Sequence, residues 1–296
     1  MSIIIIGQGA WGLALGQLFR TAGQTVTLLH HGDALPPGAH MAIVVALPAQ
    51  HIRESLKGLA VGETPIILAS KGIEQHSGAL LPEVVREVCV DAPILVLSGP
   101  SFAAEVLAKK PIAMTLAGHG ETLTSALAAQ LSSRLCRLYI SADVTGVAVG
   151  GALKNVLALA CGIAIGGGYG ENARAAIFTR GLAEIVRFGI ALGADAATFL
   201  GLSGVGDMVL SCTSTTSRNY SYGLAVGSGG RRPDPHTLTE GVATAAAVLV
   251  RAQALDLPMP VAAAVQDILS GKASVPEAVE ALLKRPGGRG EGYLYR

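Results

Sequence analysis

In the first half of this chain, apolar residues alternate between short runs rich in β-branched side chains and longer stretches with helical spacing. The short runs fall at 3–6, 25–29, 42–47, 65–70, 93–98, 112–117 and 137–140. Short continuous apolar runs bounded by turn residues predict buried strands, and helical stretches between several of them predict a mostly parallel sheet covered on both faces. After about residue 141 the strand signal fades and Ala-rich helical patterns take over, with Asp143 placed to cap the first of them. No linker of Pro/Ser type separates the halves. The expectation is an α/β region over 1–141 running directly into a helical region over 142–296.

The first strand leads into a specific turn. "SIIIIGQGAWGLALG" carries Gly7-x-Gly9-x-x-Gly12 between a strand and a helical pattern that runs to about residue 22. Strand, glycine turn and helix in that order fit a dinucleotide-binding Rossmann-type fold. Gly7 permits the tight turn, Gly9 lets a pyrophosphate approach the backbone, and Gly12 lets helix and strand pack closely. The following helix, from Ala10 and Trp11, offers free N–H groups to phosphate. At the end of the second strand, where a carboxylate would grip an NAD ribose, stand His30 and His31, with Asp33 a little later. NAD and NADP are both admissible there, and two solvent-exposed histidines that select neither are an equal alternative.

In such a sheet, ligands bind beyond the carboxyl ends of the strands. Three exits carry suitable chemistry: "ALPAQ" at 46–50, "ASKG" at 69–72 with Lys71, and "SGPSFAAE" at 98–105 with Gly99, Ser101 and Ala103. The last enters a helix whose N–H groups could hold an anion, although a lysine such as Lys71 is more often an ordinary surface residue.

The helical half opens on "VTGVAVGGALKNVLALACGIAIGGG", which is almost wholly small and apolar yet places Lys154 and Asn155 at its centre. A buried ammonium must be paired, reach water, or serve a task; snorkelling to solvent is the plainer reading. Gly150 and Gly151 precede Lys154 by about a turn, and Ala158 and Cys161 follow it, so its face lacks bulk. That bareness serves close helix packing or leaves room for a ligand. Farther on, Asn172, Arg174, Arg180 and Glu184 share a side of the next helix, a spacing that ordinarily makes i,i+4 pairs. The stretch "GLSGVGDMVLSCTSTTSRNYSYG" holds Asp207 and ends in Ser217-Arg218-Asn219, where a helix start and a guanidinium together suit a phosphate, with helix capping alone as the alternative. The basic loop "GSGGRRPDP" and the tail "GGRGEGYLYR" suggest no chemistry.

Composition narrows the classes. Half of the 296 residues are apolar, 15% are charged and the net charge is +1, a core-rich chain without the bulk charge of a nucleic-acid binder. The apolar run 156–165 is about half of the ~20 residues of a membrane span, and the N-terminus lacks a basic leader, which predicts a soluble cytoplasmic protein. Four cysteines without CxxC spacing suit reduced, buried thiols, and no cluster has metal-ligand spacing.

Seven segments, in order, give the chain a resemblance to NAD(P)-dependent glycerol-3-phosphate dehydrogenases of the bacterial type: "GQGAWGLALG", "SKGIE", "SGPSFAAEV", "GGALKNVLALACGI", "NARAAIFTRGLAE", "GLSGVGDMVLSCTSTTSRNYSYG" and "TEGVATA". The resemblance implies an all-α C-terminal substrate domain behind the Rossmann-type doubly wound sheet. It also implies reversible reduction of dihydroxyacetone phosphate to sn-glycerol 3-phosphate for glycerophospholipid synthesis, and a homodimer. It makes Lys154 the general acid/base and sets Lys71, Gly99, Ser101, Asp207, Ser217, Arg218 and Asn219 around the substrate. Trp11, His31, Lys71, Ala103, Arg218, Leu238 and Glu240 would touch the dinucleotide, whether NAD or NADP. Two departures stand out. The family commonly has an arginine where this chain has His31, and a few dozen residues, including a helix and a strand, where this chain has only "GDALPPGAHM". A related dehydrogenase for another small anionic substrate and a non-catalytic dinucleotide sensor are the competing readings.

Overall fold

The computed structural model describes residues 2–230 and 239–284; Leu238, most of the 227–235 loop and the 287–296 tail lie outside them. All seven expected strands form: β1 (Ser2–Ile6), β2 (Val26–Leu29), β3 (His40–Val45), β4 (Ile66–Leu68), β5 (Ile94–Ser98), β6 (Ile112–Gly118) and β7 (Cys136–Ser141). β4 and β5 start one residue after Pro65 and Pro93, which have no N–H to give the ladder, while both proline carbonyls accept from the neighbouring strand. The strands make one sheet in the order β2-β1-β3-β4-β5-β6-β7. Its pairings are parallel except β5 with β6. The connection between those two holds only a five-residue helix, too little for a crossover, so the chain returns antiparallel.

Period-two alternation sorts each strand's side chains between two layers. Ile3, Ile5, Val44 and Leu97 pack with α1 (Ala10–Thr21), while Ile4, Ile6, Val45 and Val96 pack on the opposite side with α2 (Ile52–Leu56) and α3 (Leu81–Val88). The short α4 (Ala103–Leu107) lies against α1, and α5 (Glu121–Leu131) covers the β6–β7 side. The segment between β2 and β3 holds neither helix nor strand, in line with the shortened sequence, so β2 borders the sheet.

The chain then enters α6 (Val144–Gly166), whose Asp143 cap accepts the Gly146 N–H at 2.7 Å. Around α6 pack α7 (Gly170–Ala191), α8 (Asp207–Thr213), α9 (Arg218–Gly227), α10 (Glu240–Ala254) and α11 (Pro260–Ser270), and α12 (Val275–Leu283) closes on α11. Among the described residues α6 is the one helix long and apolar enough to cross a membrane, but 89% of its most apolar window is buried inside the protein. The 156–165 run understated this length because the helix continues through the glycines and Lys154. Glu184 turns inward rather than decorating a helix surface: its carboxylate accepts the N–H groups of Val261 (2.8 Å) and Ala262 (3.4 Å) in the first turn of α11. All four cysteines are buried and unbridged.

The small residues of α6 are used for close approach. A Cβ at Gly162 would stand 2.2 Å from the Tyr220 carbonyl oxygen, and one at Gly166 2.2 Å from that of Leu224. The contact is reciprocal, since Cβ atoms at Gly223 and Gly227 would meet the Leu159 and Ile163 carbonyls at 2.4 and 2.2 Å. Glycines four apart on both helices therefore let the α6 and α9 backbones touch, and this fixes the start of α9 beside the middle of α6. Gly162→Ala should push α9 outward and cost about 2 kcal/mol or more, read as a lower urea midpoint.

Candidate active site

Lys154 does not snorkel. It is 8% exposed, and its Nζ donates to Asp207 Oδ1 at 2.5 Å and to Ser211 Oγ at 3.0 Å. Asp207, fully buried at the start of α8, accepts on its other oxygen from Lys71 Nζ at 2.6 Å. Lys71, three residues past the end of β4, also donates to the Gly99 carbonyl at 3.1 Å. One carboxylate thus holds two ammonium groups from the two halves of the chain. A Cβ at Gly151 would meet Ser98 Oγ at 2.8 Å and Lys71 Cγ at 3.4 Å, so here the bare face of α6 admits the lysine stem rather than an open void.

Burial pulls the Lys154 pKa down; Asp207 opposes it, Lys71 reinforces it, and the result is about 8. For Asp207 burial works upward, but the two cations prevail and its pKa lies below the ordinary value. Near neutral pH the cluster therefore carries two positive charges on one negative, a net cationic site suited to an anionic, oxygen-bearing substrate.

Next to it a polar ring joins three helices. Asn155 Nδ2 donates to Glu240 Oε2 at 3.4 Å, Asn219 Nδ2 donates to Asn155 Oδ1 at 2.9 Å, and Gly241 N–H donates to Asn219 Oδ1 at 3.0 Å. Burial raises the Glu240 carboxyl, with Arg218 and Lys154 opposing. Ser217 caps α9 by accepting from the Tyr220 N–H at 3.4 Å, and Arg218, its first residue, is exposed. Residues 48–51 after β3 and the start of α10, including Glu240, line a cavity of about 440 Å3.

The glycine turn fits a dinucleotide. Gly7 has φ +117°, and a Cβ there would stand 2.5 Å from the Ala46 carbonyl oxygen; one at Gly12 would stand 1.9 Å from that of Gly7. At Gly9 a Cβ would meet nothing within 4 Å, and no side chain caps α1. Crowding on the two outer glycines and open space at the middle one are what a pyrophosphate lying on the helix N-terminus needs. Trp11 reaches from this turn to donate Nε1–H to the Ala69 carbonyl at 3.0 Å, tying it to the Lys71 loop. Ser101 Oγ donates to the Gly99 carbonyl at 2.9 Å, and Ala103 begins α4. His31 lies apart from the lysine cluster, bonded through Nδ1 to Ser55 Oγ at 2.7 Å.

Asn155 and Ser211 belong to this cluster although neither is among the residues expected from the sequence to form the site. The signals were present: Asn155 is the second polar residue inside an apolar helix, and Ser211 lies one turn beyond Asp207.

Comparison with known proteins fits this geometry. The model described as NAD-dependent glycerol-3-phosphate dehydrogenase C-terminus matches residues 143–280, and its N-terminal counterpart matches 38–124. A glycerol-3-phosphate dehydrogenase [NAD(P)+] of Rhodospirillum rubrum is 44% identical over 96% of this chain and 92% of its own. The chain belongs to this dehydrogenase family. A relative of the same name from Parvibaculum lavamentivorans is 41% identical, covering 96% of each chain. The crystal structure of glycerol-3-phosphate dehydrogenase from Coxiella burnetii superposes with a TM-score of 0.88 at 32% identity, over 96% of this chain and 99% of that one. Family membership makes the protein an NAD(P)-dependent oxidoreductase with a Rossmann-like N-terminal domain and a helical C-terminal one.

Asp207→Asn should leave the two buried ammonium groups facing one another without their shared anion. The expected loss is about 3 kcal/mol, measured by urea denaturation at pH 7.

Proposed function

We propose that this protein reversibly reduces dihydroxyacetone phosphate to sn-glycerol 3-phosphate, feeding glycerophospholipid synthesis, with residues 1–141 as the dinucleotide-binding domain and 142–296 as the substrate domain. The observation that carries the assignment is the Lys154–Asp207–Lys71 cluster between the strand exits and the helical bundle. When bound, NAD(P)H supplies the hydride. The chain's own residues do the rest.

Reduction leaves negative charge on the former carbonyl oxygen, and Lys154 is the donor for it: its ammonium polarises the carbonyl and then gives up a proton. A pKa near 8 suits both directions, because the amine gives a proton in reduction and takes one back in oxidation. Asp207 aims the ammonium and keeps it charged near neutrality, and Lys71 helps hold the substrate oxygens. Asn219 and the N–H groups following Ser217 meet the phosphate together with Arg218, an anchor remote from the reacting carbon that orients the carbonyl. Gly99 and Ser101 border the same pocket, while Gly7, Gly9, Ala10, Trp11, Gly12, His31, Ala103 and Glu240 face the dinucleotide. A cytoplasmic location and homodimerisation belong to this reading on the family resemblance alone.

Lys154→Ala should lower kcat by about a thousandfold while dinucleotide binding, followed by fluorescence, persists. In the wild type, reduction needs the ammonium and should fall as pH rises through about 8, whereas oxidation needs the free amine and should rise through the same value. Lost binding, or matching pH profiles in both directions, would refute the assignment. Arg218→Ala should raise the KM for dihydroxyacetone phosphate by a factor equivalent to about 1.5–3 kcal/mol, with kcat less affected; an unchanged KM would remove Arg218 from phosphate binding.

A further inference from the structure

The end of the second strand, where a Rossmann fold reads the adenosine ribose, is rebuilt in this chain around one imidazole. His31 follows the glycine turn by roughly 20 residues, the spacing at which dinucleotide enzymes place the group that meets the ribose 2′ position. Its Nδ1 lies 2.7 Å from Ser55 Oγ on α2, and that same Oγ lies 2.5 Å from the His51 carbonyl oxygen.

These two distances fix the histidine's tautomer. A carbonyl oxygen only accepts, and a serine hydroxyl has one proton. Two oxygens 2.5 Å apart without a proton between them would repel, so the Ser55 proton goes to the His51 carbonyl. Ser55 Oγ can then only accept from His31, and Nδ1 must carry the hydrogen. In the neutral ring Nε2 is then the unprotonated nitrogen, an acceptor on a residue that is exposed overall.

The surroundings add no competing cation from α2. Arg53 donates Nε and Nη2 to Glu74 at 2.8 Å each and Nη1 to Glu87 at 2.6 Å, so its guanidinium is turned onto those two carboxylates. Asp33 Oδ2 is bonded to the His30 N–H at 2.7 Å, closing the turn. The neighbouring imidazole, His51, sits with its ring centroid 6.2 Å from that of His31.

We infer that His31 selects NAD(H) over NADP(H), its bare Nε2 accepting the ribose 2′-hydroxyl proton much as a carboxylate does in NAD enzymes, with Ser55 as the positioning residue that holds the tautomer. A 2′-phosphate presents only acceptor oxygens and negative charge to that lone pair and gains nothing there. The inference rests on the dinucleotide use proposed above.

Direct binding of NADH and NADPH to the full chain, followed by nicotinamide fluorescence at pH 8, should give NADH the lower Kd by about tenfold or more. His31→Arg should reverse the order, since a guanidinium fork suits phosphate. Ser55→Ala should narrow the ratio toward parity. Independently of cofactor, long-range 1H–15N correlation spectra of the histidine rings should show His31 Nδ1 protonated and Nε2 bare in the wild type, and a mixed tautomer in Ser55→Ala. A protonated Nε2 in neutral wild-type protein, or an unchanged ratio in Ser55→Ala, overturns the inference. Equal affinity for both dinucleotides with dihydroxyacetone phosphate turnover intact overturns it alone, whereas binding of neither overturns the dehydrogenase reading with it.

Discussion

Everything at the centre of this molecule depends on one carboxylate shared by two ammonium groups. Asp207 is fully buried and would be costly there by itself. Lys71 arrives from a strand exit and Lys154 from the longest helix, and neither would be tolerable so deep without the anion between them. Because the lysines come from opposite halves of the chain, the ion triad also stitches sheet to bundle. Chemistry and assembly therefore share the same three side chains, and a change that loosens one disturbs the other.

The glycine-lined crossing of α6 and α9 is the mechanical counterpart of that triad. It brings the first turn of α9 close enough for Asn219 to bond Asn155, the immediate neighbour of Lys154. A bulkier α6 would still make a stable apolar helix, but it would hold Arg218 and Asn219 away from Asn155 and Lys154. The residues that look least functional in the sequence, its runs of Gly and Ala, set the distance between the proposed phosphate anchor and the proposed proton donor.

Much of this was legible in the sequence, for physical reasons that differ from place to place. The central strands were visible because fully buried strands need continuous apolar runs, and the less buried edge strands β2 and β7 because their short apolar runs are bounded by turn residues. The prolines before β4 and β5 even explain where those begin. The glycine turn was legible because crowding at Gly7 and Gly12 tolerates no side chain. The antiparallel return of β6 was not, since direction depends on how far a five-residue helix can carry the chain. The Asp207 bridge was not either: pairing between residues 71, 154 and 207 is a property of three-dimensional assembly, and local pattern records only that each is polar in an apolar setting. The inward turn of Glu184 was hidden for the same reason, since helical spacing suggests only pairing along its own helix while the carboxylate also caps a distant one.

The short link after β2 has an effect on the outside of the protein. Among the described residues no strand lies beyond β2, so this flank of the sheet is a four-residue ribbon whose outward N–H and C=O groups have no strand to meet. An unprotected rim of this kind invites another polypeptide to align along it, and brevity is one of the ways proteins discourage such accretion. With the adenosine side of the fold so short, this border of the sheet offers too little length to recruit a neighbour, unlike the six-residue β7 at the opposite edge.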